Sequence, residues 1–201
     1  MEHLIGIHFH LAKREGCRME FNRAAVLSCG IFFESLSFGL MDSIIRPYME
    51  DLGAPYLVVF LFDFIWALIG LTAIVWGFIS DIIGKRVMIA LGILGSLPLY
   101  FMSNAKDPYT LLGLVAFLSL TYTMSQPAIL ATISFSKSVG RAFASYTMAA
   151  SIGWGAGSLV MGFLHDTLKL GVSGVFIVSA ISWVETFIRV SWGSLLSVRD
   201  R

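Results

Sequence analysis

A short polar turn, Gly77-Phe78-Ile79-Ser80-Asp81-Ile82-Ile83-Gly84-Lys85-Arg86, stands between two apolar runs, residues 56 to 79 and 87 to 103. Each run is long enough, or nearly so, to cross a bilayer as a helix. The ten residues therefore read as a tight interhelical loop in which Gly77 and Gly84 turn the backbone and admit a neighbouring helix. Asp81 supplies an acceptor just outside the apolar phase, and Lys85 and Arg86 hold that end on the cytoplasmic side.

Composition places the whole chain in the same solvent. Of 201 residues 57% are hydrophobic and 13% charged, and the mean hydropathy is +0.80. A soluble domain carries about 25% charged residues, so lipid must cover much of this one. The net charge is +1 with dispersed basic residues, and no aromatic-basic face accompanies them, which excludes a nucleic-acid partner. Cys17 and Cys29 suggest no disulfide framework. No cofactor is implied. His3, His8 and His10 cluster near the N-terminus, but no Cys or carboxylate joins them in a ligand order, so a solvated tail is expected and no metal.

Apolar runs and polar breaks give six spans, at about 24 to 47, 56 to 79, 87 to 103, 109 to 134, 142 to 164 and 171 to 192. The organisation expected is a tail over 1 to 20, a six-helix bundle over 21 to 194 and a tail over 195 to 201. Lys13, Arg14, Arg18, Arg23, Lys85, Arg86, Lys137, Arg141, Arg189, Arg199 and Arg201 fall on one side. Only Arg46, Lys106 and Lys169 fall on the other, which predicts two cytoplasmic termini. Residues 1 to 20 lack the apolar core and cleavage site of a signal peptide, and Met19 is an alternative start.

Gly77-Phe78-Ile79-Ser80-Asp81 recurs as Gly162-Phe163-Leu164-His165-Asp166, three helices later. Three is odd, so the copies have opposite topology, as inverted repeats require; coincidence in a Gly- and Phe-rich chain is the alternative.

The pattern G-x-x-x-D-x-x-G-K-R closely resembles the loop between the second and third helices of major facilitator superfamily transporters. Gly39-Leu40-Met41-Asp42 through Leu52-Gly53-Ala54 is similar to the exit from helix 1 in that family. The run Gly153 to Gly162 looks like its glycine-rich helix 5, with Gly153, Gly157 and Gly162 as packing positions. Ser158 stands where antiporter members usually carry proline, Ile82 replaces a common arginine, and the fourth span lacks an arginine between Tyr109 and Lys137. The resemblance implies an all-α polytopic membrane protein, two inverted three-helix repeats forming one half of a transporter whose full form has about twelve spans. It also implies that Asp81 works against a second half, supplied by a separate chain or by self-pairing.

Intramembrane polar groups are the candidate binding residues, because each is costly in lipid unless it faces protein or a wet cavity. Glu34, near the middle of the first span, is either a substrate or proton contact or a neutral group bonding helices together. Asp42 and Asp63 lie at similar outer depth and either share a proton or a cation or are solvated. Glu185 and Arg189 are four apart and can pair along one helix face. Tyr122 and Gln126 can offer a hydroxyl and an amide to a solute, with Tyr146 and Trp154 as aromatic walls. Ordinary interhelical bonding is the alternative for each alone. Pro127 frees a backbone carbonyl in the same helix.

The function expected is carriage of a small solute by alternating access, with a proton as possible coupling ion, in the cell membrane. The alternative is a truncated or nontransporting six-helix subunit. An intramembrane protease is disfavoured, because no histidine lies in a span.

Overall fold

The computed structural model describes residues 2–134 and 138–196, with side chains over 25–134 and 138–191. Helix α1 runs Glu2–Asp51, α2 Tyr56–Gly70 and α3 Ala73–Ile83. Then come α4 Lys85–Leu91, a 3₁₀ segment Gly92–Gly95 and α5 Ser96–Met102. The rest is α6 Pro108–Ser134, α7 Val139–Gly162, a π-helical turn Phe163–Thr167 and α8 Gly171–Leu196. Among the described residues there is no strand. This follows from the solvent: in lipid a helix satisfies its own backbone groups, and an open sheet edge does not.

Among the described residues five helices are long and apolar enough to cross a bilayer, or six where α2 and α3, bent by 42°, count as one span. No proline announces that bend. At it the Thr72 hydroxyl donates to the Ile69 carbonyl at 2.6 Å and accepts from Trp76 Nε1 at 3.1 Å. The bend's freed polar groups are thus partly met by side chains.

Three boundaries differ from expectation. The first helix continues through Pro47 to Asp51, because an isolated proline in a long helix is tolerated when neighbours compensate. The fifth continues past residue 164 through the π turn and ends where Lys169 and Gly171 adopt φ of 51° and 65°. The loop expected over Gly77 to Arg86 shrinks to a single residue: Gly77 and Asp81 are inside α3, and only Gly84, at φ 105°, leaves helical geometry. Asp81 is exposed near the end of α3. A Cβ on Gly77 would meet nothing closer than Pro127 Cβ at 3.9 Å, so Gly77 neither turns the chain nor admits a close helix.

The first span packs on the fifth and sixth, and the fourth packs on the second and third. Shifting by three spans exchanges these two sets of contacts, as a three-helix repeat demands. The first and fifth spans cross through glycines. A Cβ on Gly157 would collide with the Leu36 carbonyl, one on Gly153 with the Phe32 carbonyl, and one on Gly39 with the Trp154 carbonyl. Gly162 stands apart: a Cβ there meets open space, so its expected packing role within this chain falls away. Between the third and sixth spans, Gly95 accommodates Trp183, and the indole Nε1 donates to the Gly92 carbonyl at 2.8 Å. That bond serves a backbone acceptor at the start of the 3₁₀ segment.

Candidate functional site

A buried side-chain contact joins the first span to the fourth. Glu34 and Gln126 are both buried, and Gln126 Nε2 donates to Glu34 Oε1 at 2.9 Å. From the fifth span the Tyr146 hydroxyl donates to Gln126 Oε1 at 3.0 Å. The three side chains thus form one line whose donors all run toward Glu34. Tyr146 occupies the amide oxygen and so orients the amide NH₂ at the carboxyl group.

Tyr122, one turn before Gln126, points elsewhere. It stacks edge-on to Phe38 with ring centroids 5.0 Å apart and lies 5.6 Å from Trp66. Phe38 also meets Trp66 at 5.0 Å and Trp183 at 5.3 Å. Edge-to-face pairs of this kind fix ring positions beyond what area burial alone does. Above this cluster is an open cavity of about 530 Å³, lined among others by Ser35, Phe38, Trp66, Tyr122, Ser151 and Trp154.

Asp42, Arg46 and Asp63 line the cavity's rim. One Arg46 nitrogen meets Asp42 Oδ1 at 2.9 Å and the other meets Asp63 Oδ1 at 2.8 Å. The guanidinium also sits 4.9 Å from the Phe62 ring centroid. The two aspartates are thus joined through an arginine, whose spacing of four from Asp42 was the available sequence signal. Sequence reasoning used Arg46 in the orientation count and in the exit from the first helix, and gave it no place in a site. Asp63 is 61% exposed, so each ion pair on its own contributes little stability. Their geometric effect is larger, because α1 and α2 otherwise touch sparsely.

Away from the cavity, Arg189 pairs with Glu185, its Nε donating to Oε1 at 2.7 Å, and lies 5.4 Å from the Phe33 ring. Ser37, also unanticipated, donates to the Ser179 carbonyl at 2.8 Å and ties the first span to the sixth. Cys29 is a free, half-buried thiol. His165 Nδ1 lies 3.0 Å from Asp166 Oδ1 in the exposed π turn. Among the described residues no group of three or more His, Cys, Asp or Glu side chains is placed to hold a metal. The side chains of Cys17, the N-terminal histidines and the N-terminal basic cluster, together with Lys137 and the basic C-terminus, lie outside the described ones.

A multi-pass helical bundle with an open, aromatic-walled cavity and a buried carboxyl group between its helices has the features of a membrane protein of the solute-carrier type. The chain matches the family model of the Major Facilitator Superfamily over residues 27–192 and belongs to that family of membrane transporters. No curated protein is similar enough to match it.

Proposed function

We propose that this chain is one six-helix lobe of a carrier that moves a small solute by alternating access, with Glu34 as the group that takes up and releases the coupling proton. The observation that carries this reading is the buried line Tyr146–Gln126–Glu34, in which a carboxyl group of the first span is held by an amide of the fourth and a hydroxyl of the fifth. An amide N–H can donate to a carboxylate and to the carbonyl oxygen of a carboxylic acid alike, so the helices need not part when Glu34 changes protonation state. Movement of the solute follows if the two access states hold the proton with different affinity.

A second lobe, from another chain or a second copy, completes the carrier in this reading. The fifth span supports it, with 11% of its most apolar stretch buried within the chain against 39–50% in the four other unbroken spans. Ala144, Thr147, Ser151 and Gly155 are exposed along one side of α7. Small and polar residues on one stripe suit helix contact better than contact with lipid tails. The Asp81 end of α3 would face the second lobe across the cytoplasmic side. Both termini are assigned to the cytoplasm from the Lys and Arg asymmetry, and the membrane to the cell surface.

Liposome uptake of a panel of labelled amino acids, sugars and organic ions under an imposed pH gradient tests the reading. Wild type is expected to show gradient-driven uptake that Glu34→Gln abolishes. Uptake equally driven in Glu34→Gln removes that carboxyl from the coupling step. No uptake of any solute by the chain, alone or with a six-helix partner, favours the nontransporting subunit.

A further inference from the structure

We propose that the rim of the cavity is a recognition site for an organic cation, and that Arg46 is its internal occupant until a solute cation replaces it. The inference rests on the carrier reading for its biological use but not for its test. The guanidinium already shows what the site holds. It is gripped by one oxygen from Asp42 and one from Asp63, at 2.9 and 2.8 Å, and lies over the Phe62 ring at 4.9 Å. Two carboxylates and an aromatic face are the complement of a delocalised or alkylated cation.

Charge counting favours a cation over an anion. The rim carries two acidic groups and one basic group, so an arriving anion meets net repulsion and finds the arginine doubly engaged. A cation meets net attraction, and its competitor is a side chain on a long flexible stem that can swing away. The walls point the same way. Phe38, Trp66, Tyr122 and Trp154 line the cavity beneath the rim, a surface that suits an apolar or quaternary cation better than a hydrated metal ion. Asp63 is the more exposed carboxylate, at 61% against 26% for Asp42, so the solute meets Asp63 first.

Binding can be read on the full chain in nanodiscs of zwitterionic lipid by equilibrium dialysis, with empty nanodiscs subtracted. The probes are tetraphenylphosphonium and tetraphenylborate, nearly equal in shape and opposite in charge. Saturable phosphonium binding is expected, with no borate binding above empty nanodiscs. Asp42→Asn and Asp63→Asn should each weaken phosphonium binding about tenfold, with Asp63→Glu restoring most of it. Arg46→Gln should tighten it about tenfold by removing the competitor. That gain cannot arise from a misfolded variant. Unchanged or weaker phosphonium binding in Arg46→Gln, or saturable borate binding, overturns the proposal. The carrier reading fails separately: phosphonium bound with no solute transported refutes transport and leaves the cation site. Transport of an anion or neutral solute with no phosphonium bound does the reverse.

Discussion

Gln126 donates its amide to Glu34 across 2.9 Å between the fourth and first spans. This one bond ties two residues that are 92 positions apart in the chain. Both groups are buried, so the Glu34 carboxyl relies on the Gln126 amide, whose oxygen is in turn met by Tyr146. A buried donor or acceptor left alone costs more than the bond itself contributes.

Gln126→Leu should therefore lower stability by about 1–3 kcal/mol, because Glu34 loses its donor and Tyr146 its acceptor. Tyr146→Phe removes one outer bond and should cost about 0.5–1.5 kcal/mol. The double variant should cost less than the sum, since the two bonds share the amide. Thermal unfolding in one fixed detergent gives all three values, and strict additivity would mean that the line does not act as a unit.

Gly84 and Gly77 respond in opposite ways. At φ 105° Gly84 adopts a backbone that side chains rarely reach, so Gly84→Ala should cost about 1–3 kcal/mol. Gly77 is in the interior of α3 with room for a methyl group, so Gly77→Ala should be neutral or stabilising by up to about 1 kcal/mol. Melting temperatures of the two variants that moved down together would refute the single-residue turn.

At the crossing of the first and fifth spans, Gly157→Leu must push aside the Leu36 carbonyl and the Gly39 backbone. It should cost about 1–3 kcal/mol or more, since backbone yields less readily than side chains. Gly162→Ala meets open space and should stay within about 0.5 kcal/mol of wild type. Equal losses from the two, read by the same unfolding assay, would contradict this packing.

Much of this arrangement is written in local pattern. Six apolar stretches, their polar breaks and the G-x-x-x-D-x-x-G-K-R run suffice to identify a polytopic helical bundle and its family, because insertion in lipid depends on composition over about 20 residues. Glu34, Gln126, Tyr122 and Tyr146 stand out for a related reason: polar groups are conspicuous against an apolar background. Their partners do not. Whether Gln126 meets Glu34 or faces the cavity beside Tyr122 depends on helix rotation, which a weakly amphipathic membrane helix leaves open. The glycines divide the same way. Gly39, Gly92 and Gly95 pack closely, and Gly77 and Gly162 do not, although all five fall within or at the end of apolar runs. At the 42° bend between α2 and α3, Gly70 looks like any other glycine of a membrane helix.

The central expectation is that the cavity lined by Asp42, Arg46, Asp63, Ser35 and Ser151 admits water from one face of the bilayer. Cysteine accessibility in Cys17→Ser/Cys29→Ser proteoliposomes of known orientation tests it most directly, with single cysteines at Ser35 and Ser151 on the cavity wall and at Ser179 in the buried core. A membrane-impermeant thiol reagent should label the Ser35 and Ser151 positions from the outer face, much more slowly from the inner face, and leave the Ser179 position unlabelled. Equal labelling of the Ser35 position from both faces, or none from either, would contradict the account.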